Sequence, residues 1–237
     1  MKTSITISAI VPFHNEEKSL KESVQRLIDV GIFKEIILVD DNSNDKSNQI
    51  ASDLALVNEF ISVYKIKKSL GKGNAVRYGL KKTKTSHVIV HDADLEYFPK
   101  DIVEMFKISK KYPNDLILGS RRIGNKERKN LYFYTYIVNA LFSNIFSIIN
   151  AYKVSDISSC YQLNSLENLI KMNLSEDGFA MEVEILSKTL RMNNKIYELP
   201  ISYHARSYGD GKKITVRDAL LIFLKMFKYS RFNIFFK

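Results

Sequence analysis

The segment HVIVHDADLE, residues 87–96, decides the fold and carries its chemistry. Its apolar, β-branched beginning is typical of a short buried strand. Asp92, Asp94 and Glu96 follow at alternate positions, so an extended chain directs carboxylates to one side just beyond that strand. Carboxylates that converge repel one another unless a hard divalent cation such as Mg²⁺ or Mn²⁺ lies between them. The segment therefore predicts a metal site that also takes substrate phosphates, or alternatively an acidic turn that caps the next helix.

Strands and helices are expected to alternate on both sides of this segment. The other expected strands are residues 5–12, 35–41, 61–66 and 116–120, each followed by a polar or glycine-containing turn. Such alternation predicts an α/β fold with a mostly parallel sheet flanked by helices. Ligands of these sheets bind beyond the carboxyl ends of the strands. The side chains expected to meet there are Asp40, Asp41, Asp92, Asp94 and Arg121.

Composition limits the class of protein. The 237 residues, 45% of them hydrophobic, suit one α/β domain or a domain with an appendage, and they argue against a disordered chain. Cys160 is the only cysteine, which excludes an internal disulfide and a zinc cluster and fits a reducing compartment. The net charge of +10 indicates an anionic partner, either a phosphorylated substrate or an anionic membrane surface. Nucleic acid is not expected, since the basic residues are scattered and no RNP-like or zinc-finger signature occurs.

The second half of the chain contains two segments with helical periodicity. Residues 131–149 are apolar enough to raise the question of a membrane span. A polar stripe crosses this helix, formed by Thr135, Asn139, Ser143 and Ser147. The stripe favours an amphipathic helix, whose apolar face would meet the core, a second subunit or lipid. A basic amphipathic helix is expected at residues 216–237, following a domain at residues 1–215 that includes the first helix.

Five short motifs occur in a distinctive order. They are VPFHNE (11–16), VDDNSND (39–45), GKGNA (71–75), DADLE (92–96) and GSR (119–121). This order resembles the signatures of family 2 glycosyltransferases, which have the Rossmann-like GT-A fold. PISY at 200–203, followed by Arg206 and GKK at 211–213, is similar to the dolichol-phosphate mannose synthase-like branch. The resemblance extends from residue 7 to about residue 229.

The resemblance implies a role on the donor side for several residues. Pro12, Glu16 and Asp41 would hold the nucleotide, while Asp40 or Asp41 would alternatively cap the following helix. Gly73 would let the backbone approach the sugar nucleotide, and Lys72 would add a positive charge. The implied ligands of Mg²⁺ or Mn²⁺ are Asp92, Asp94 and Glu96. The basic residues suited to donor and acceptor phosphates are Arg121, Arg128, Arg206 and Lys212.

The acceptor side is less well defined. Besides Asp94, the candidate catalytic residues are Asp156 and Glu182, which lie where the family has acidic side chains. Either would position the acceptor or act as a base, and local hydrogen bonding is the alternative. A hydroxyl acceptor requires such a base, whereas an anionic polyprenyl phosphate does not. ISSCYQ at 157–162 departs from the Ser-Gly-Phe-Arg of many synthases, which leaves the sugar and the acceptor open.

The resemblance implies an inverting, metal-dependent glycosyltransferase. It would move a hexose from a nucleotide sugar of the GDP-mannose or UDP-glucose type to a polyprenyl or dolichyl phosphate at the cytoplasmic membrane face. The alternatives are transfer to a hydroxyl of a cell-surface glycan, and a sugar-nucleotide-binding module without turnover. The protein is expected to be cytoplasmic and peripherally associated with the membrane, and a homodimer is left open.

Overall fold

Nine strands form two sheets in the computed structural model, which describes residues 4–129, 133–206 and 216–231. In chain order they are β1 (Ile7–Phe13), β2 (Phe33–Asp40), β3 (Ile61–Lys65), β4 (His87–Val90), β5 (Leu116–Ser120), β6 (Arg128–Lys129), β7 (Gln162–Ser165), β8 (Ile196–Pro200) and β9 (Tyr203–His204). The large sheet has the order β3-β2-β1-β4-β7-β5-β8, and β6 pairs with β9 separately. Only β7 runs antiparallel to its neighbours in the large sheet as described.

Eight helices connect these strands within the described residues. They are α1 (Leu20–Val30), α2 (Ser47–Leu56), α3 (Lys72–Leu80), α4 (Asp101–Lys111), α5 (Phe133–Asn150), α6 (Leu166–Lys171), α7 (Met181–Arg191) and α8 (Val216–Tyr229). The expected mostly parallel α/β architecture is confirmed. Both faces of β1 are buried: Ala9 and Val11 belong to the apolar core beneath α1 and α4, and Ile10 to the core beneath α3 and α7. Such two-sided burial explains why the strands appear as continuous apolar runs.

Helix α5 turns its polar stripe toward the protein and leaves several of its apolar residues exposed. Ser143, Phe146 and Asn150 are its buried residues, while Leu141 is 53% and Ile148 is 78% exposed. The stripe is buried because it holds the segment that follows: the Ser147 hydroxyl donates to the Val154 carbonyl and accepts from the Val154 amide. Phe146 is buried in the core and Ile145 packs against it, so only the outermost apolar residues of α5, such as Leu141 and Ile148, stay away from the core.

Helix α8 packs on α7 and lies beside α5. Ile222 and Met226 are buried in this contact, and Phe223 stacks near Phe142 of α5 with 5.6 Å between ring centroids. Leu220, Leu221 and Leu224 of α8 are exposed. Residues 232–237 of the expected helix lie outside the described part of the chain, and the division at residue 216 stays a prediction. No helix in the described ranges has both the length and the apolar character of a membrane span.

The loop between α6 and α7 packs directly on the start of α3. The Asn74 amide donates to the Asp177 carbonyl at 3.1 Å, and a Cβ on Gly73 would overlap the Glu176 carbonyl oxygen. Gly71 adopts φ +111°, a left-handed conformation that favours glycine. The close approach that Gly73 permits in this structure is therefore to the loop at Glu176 and Asp177. The expected approach of Gly73 to a nucleotide stays a prediction.

We predict that Gly73→Ala lowers the free energy of unfolding by about 1–3 kcal/mol, because the added methyl forces the loop and α3 apart. Chemical denaturation measures this loss. Gly178→Ala is the matched control, since nothing lies within 4 Å of a Cβ at that position. Equal stabilities of the two variants would show that the close packing at Gly73 is not required.

Candidate active site

A cavity of about 580 Å³ follows the carboxyl ends of the parallel strands. The predicted site residues that line it are Pro12, Glu16, Asp41, Lys72, Asp92, Asp94, Glu96, Arg121, Asp156, Glu182 and Arg206. Beyond Asp156 the cavity continues between α5 and α8, where Val138, Phe142 and Ile222 form apolar walls. Asp40, Gly73 and Arg128 do not line it, and Lys212 lies outside the described residues.

The two acids at the end of β2 have different surroundings. Asp40 is fully buried, and its carboxylate accepts from the Ser43 amide at 2.7 Å and from the Asn48 side chain at 3.0 Å. These bonds close the turn after β2, and the N-cap residue of α2, Lys46, receives no side-chain cap bond. The alternative expectation, that Asp40 or Asp41 caps this helix, is therefore wrong. Asp41 faces the cavity, and its carboxylate accepts from the Ser69 hydroxyl at 2.7 Å and from the Gly71 amide at 2.9 Å.

Lys72 joins two acids on the floor of the cavity. Its Nζ lies 2.8 Å from Asp92 Oδ1 and 2.7 Å from Glu182 Oε1. Burial alone would lower the pKa of Lys72, but the charges of Asp92 and Glu182 outweigh it and hold that pKa above the usual value. Burial raises the pKa of Glu182, although Lys72 opposes the change. Glu182 Oε2 is buried without a hydrogen-bond partner among the described residues.

Arg206 joins the acids on the other side of the acidic turn. Its Nη2 lies 3.2 Å from Asp94 Oδ2, and its Nη1 lies 3.2 Å from Glu16 Oε2. Burial raises the pKa of Asp94 to about 7, and the charges of Asp92 and Glu96 add to this rise. Burial and the neighbouring carboxylates thus make Asp94 harder to ionise than an aspartate in water.

The chain does not stay extended through the acidic turn. Leu95 has φ +64°, so Glu96 leaves the line of Asp92 and Asp94. The Glu96 carboxylate accepts from the Tyr203 hydroxyl at 2.6 Å and from the Arg206 amide at 2.8 Å. Both of its oxygens therefore have partners on the segment after β8. Tyr203 is a site residue to which the sequence analysis gave no role of its own.

The carboxylate oxygens of Asp92, Asp94 and Glu96 are ligands that suit a hard divalent cation. The side chains as described are not gathered around one point, however. Within the described ranges no three His, Cys, Asp or Glu side chains are close enough to hold one ion. The contacts of Asp92 with Lys72 and of Asp94 with Arg206 account for this separation.

A buried histidine supports the strand end that presents Asp92. His91 Nε2 lies 3.0 Å from the Ser23 hydroxyl, and its Nδ1 lies 2.8 Å from the Tyr161 hydroxyl. Burial lowers the pKa of His91 to about 4, so the imidazole is neutral near pH 7. The ring therefore links α1, β4 and the segment before β7 through hydrogen bonds. Because it is neutral, it adds no positive charge next to Asp92.

Asp156 and Arg121 form a buried ion pair at the acceptor end. Arg121 Nε and Nη2 each lie 2.8 Å from an Asp156 oxygen, and the Arg121 amide donates to the same carboxylate at 2.9 Å. Burial alone would raise the pKa of Asp156, but Arg121 outweighs it and holds that pKa below its usual value. Both oxygens of Asp156 are committed to Arg121, which suits a positioning role better than proton transfer.

The remaining basic residues divide into those inside and outside the cavity. Arg128 donates to the carbonyls of Ile123 and Gly124 and so ties the loop after β5. Arg122 lines the cavity, and its guanidinium lies 4.4 Å from the centre of the Tyr136 ring. Arg122 was not among the predicted site residues, although the Arg121-Arg122 pair at a strand end was the available signal.

Comparison with known proteins identifies the family. The sequence model described as Glycosyl transferase family 2 matches residues 8–171. The chain belongs to this family. This confirms the resemblance, and the protein is a glycosyltransferase.

Two curated relatives and one solved structure illustrate the similarity. Glycosyltransferase AglJ of Haloferax volcanii is 25% identical over 240 residues, covering 98% of this chain and 75% of the relative. A dolichol-phosphate mannosyltransferase of Pyrococcus furiosus is 27% identical over 210 residues, covering 87% of this chain but 58% of the relative. Glucosyl-3-phosphoglycerate synthase of Mycobacterium tuberculosis, solved with Mn²⁺, UDP and glucosyl-3-phosphoglycerate, has a TM-score of 0.72 at 16% identity. That alignment covers 96% of this chain and 79% of the synthase and supports the shared GT-A fold.

We predict that Asp156→Asn lowers the free energy of unfolding of this glycosyltransferase by roughly 3–5 kcal/mol, because it leaves Arg121 buried without its counter-charge. Urea denaturation measures the loss. Glu127→Gln is the control, since it breaks an exposed pair with Lys129 and should change stability little. A role for Asp156 as a base alone would instead leave stability intact and remove only turnover.

Proposed function

We propose that this glycosyltransferase moves a hexose from a nucleotide sugar to a polyprenyl phosphate. The observation that carries the proposal is the continuity of the cavity. It leads from Asp92 and Asp94, past Arg121, to the apolar walls formed by Phe142 and Ile222. An acceptor with an anionic head and an isoprenoid tail matches this order of charge and apolar surface. The similarity to a dolichol-phosphate mannosyltransferase supports the same acceptor class.

The donor would occupy the end of the cavity lined by Pro12, Glu16 and Asp41. A carboxylate in this position can accept from a base N–H of the nucleotide. Asp92 and Asp94 would hold Mg²⁺ or Mn²⁺, with Glu96 as the third predicted ligand. When bound, the cation supplies positive charge to the donor diphosphate and the leaving nucleoside diphosphate. The Mn²⁺ and UDP in the structure of the mycobacterial synthase support this assignment.

The acceptor phosphate would be held by Arg121 and Arg122, whose guanidinium groups suit phosphate oxygens. A phosphate oxygen then forms a bond to the anomeric carbon from the face opposite the donor diphosphate. The bond from that carbon to the diphosphate oxygen breaks, and its electron pair leaves with the nucleoside diphosphate. The configuration is inverted, and the anionic acceptor has no proton to lose. Asp156 keeps Arg121 in place, and the base role predicted for Asp156 or Glu182 applies only to a hydroxyl acceptor.

The outward apolar faces of α5 and α8 support a position at an anionic membrane surface. Ile137 and Leu141 are exposed on α5, Leu224 is exposed on α8, and Arg217 and Lys228 are exposed on α8 as well. Apolar residues beside basic ones are typical of helices that lie in the membrane interface. The proposal places the enzyme peripherally at the cytoplasmic face, where the lipid tail of its acceptor is embedded. A homodimer through the same face is the competing explanation.

We predict that one radiolabelled nucleotide sugar, from a panel including GDP-mannose and UDP-glucose, yields a chloroform-extractable, acid-labile product with Mn²⁺ and a short polyprenyl phosphate. Asp94→Ala should lower turnover at least about 10²-fold, because it removes charge from the donor site. Circular dichroism of the variant checks that the fold is intact. Nucleotide-sugar binding without lipid product would overturn this acceptor and favour a glycan hydroxyl. Unchanged biological activity of Asp94→Ala would favour a module without turnover.

We predict that the double substitution Ile137→Asp with Leu141→Asp weakens binding to vesicles containing anionic phospholipid by roughly ten-fold or more, since each change removes an apolar contact with the bilayer. Co-sedimentation at two salt concentrations measures the apolar and charge contributions. Leu56→Asp is the matched control, because Leu56 is 83% exposed on α2 and lines no part of the cavity. If the double variant lost a dimer and kept its vesicle binding, the exposed apolar face would instead be the contact with a second subunit.

A further inference from the structure

Lys72 and Arg206 occupy the positions from which positive charge reaches the acidic turn. Lys72 Nζ lies 2.8 Å from Asp92 Oδ1 and 3.0 Å from Asp92 Oδ2, so it covers both oxygens of that carboxylate. Arg206 pairs with Asp94 Oδ2 through Nη2 and with Glu16 Oε2 through Nη1. A divalent cation between Asp92 and Asp94 would therefore meet two side chains of its own charge. Binding of that cation would require these contacts to loosen.

The same two side chains face the space that the donor diphosphate needs. Both line the cavity, and both are largely buried, with 12% of Lys72 and 15% of Arg206 side-chain surface exposed. Each has a second anchor that keeps it nearby after it leaves its aspartate. For Lys72 the anchor is Glu182, and for Arg206 it is the bond from its backbone amide to Glu96.

We propose that Lys72 and Arg206 are resident counter-cations of Asp92 and Asp94. When a divalent cation binds these two carboxylates, Lys72 and Arg206 leave them and pair with the donor diphosphate. This inference rests on the proposed function and names how its donor site is loaded. The consequence is positive coupling: the cation and the nucleoside diphosphate each bind more tightly in the presence of the other.

The coupling follows from charge balance in a buried site. Among the described residues, five carboxylates border the two basic side chains: Glu16, Asp92, Asp94, Glu96 and Glu182. A divalent cation alone would be repelled by the positive charges of Lys72 and Arg206. A diphosphate alone would be repelled by the carboxylates. Bound together, the two ligands give each charged group a partner of opposite sign, and such pairings are strong where water is excluded. Linkage requires that the coupling factor be the same in either order of binding.

The test measures binding and not turnover. Mn²⁺ is titrated into nucleotide-free protein and followed by the electron paramagnetic resonance signal of free Mn²⁺. UDP and GDP are then titrated by calorimetry with and without Mn²⁺. For the unmodified chain we expect the better diphosphate to tighten Mn²⁺ binding by roughly 5- to 150-fold.

Opposite effects on the two ligands identify the exchange. Arg206→Gln should bind Mn²⁺ at least about five-fold more tightly without nucleotide, bind the diphosphate more weakly, and show a smaller coupling factor. Lys72→Met should do the same, and it carries the test if Arg206→Gln does not fold. Lys65→Met is the matched control, because Lys65 pairs with buried Asp40 outside the cavity. It should leave Mn²⁺ affinity unchanged.

Weaker or unchanged Mn²⁺ binding in both cavity variants would overturn the exchange. Equal tightening by Lys65→Met would also overturn it, because the effect would then be one of net charge. These outcomes differ from failure of the proposed function. If no lipid product forms, the Mn²⁺ and diphosphate titrations can still be carried out and interpreted. The proposed function and the exchange are therefore tested by separate measurements.

Discussion

The contact of Lys72 with Asp92 and Glu182 is the interaction on which the arrangement of the site depends. One ammonium group joins the start of α3, the end of β4 and the start of α7, which are far apart in the sequence. The loop from Glu176 to Gly178 packs on Gly71 and Gly73, on either side of Lys72, and so fixes the approach of α3 to α7. Separating these elements would leave buried carboxylates without a counter-charge, which is among the most destabilising changes available to a folded chain.

Helix α5 serves the site through its polar residues. Ser147 binds both backbone groups of Val154, two residues before Asp156, and the Ser143 hydroxyl accepts from the Ile157 amide. The side chains that usually face water thus hold the segment that positions the Arg121 partner. Apolar residues such as Leu141 and Ile148 are left exposed on the same helix. One helix thereby fixes the acceptor end of the cavity and gives the chain its exposed apolar face.

Much of the architecture could be predicted because the parallel strands are buried on both faces and therefore appear as apolar runs. β7 could not, since QLNS has no apolar pattern. Its buried Gln162 donates to the carbonyls of Ser159 and Glu182, and its buried Asn164 accepts from Asn168, which are contacts that the strand's own residue pattern does not indicate. Asp92, Asp94 and Glu96 line the cavity beyond β4, where the sequence expects ligands to bind, and their role as metal ligands stays a prediction. Their partners were not predictable: Arg206 is over a hundred residues away, and the turn at Leu95 depends on tertiary contacts to Glu96.

The insertion of β7 between β4 and β5 has a consequence for the order of folding. β4 and β5 are separated in the sheet by a strand that is synthesised more than forty residues after β5. Strands β1 to β5 therefore cannot complete the large sheet while the chain emerges. In particular, β5 has neither of its neighbours until β7 and β8 are synthesised. Pairing over such sequence distances has a large loop-closure entropy and slows folding. During synthesis the unpaired edges of β4 and β5 are exposed, which makes this interval the one in which the nascent chain most needs protection from aggregation.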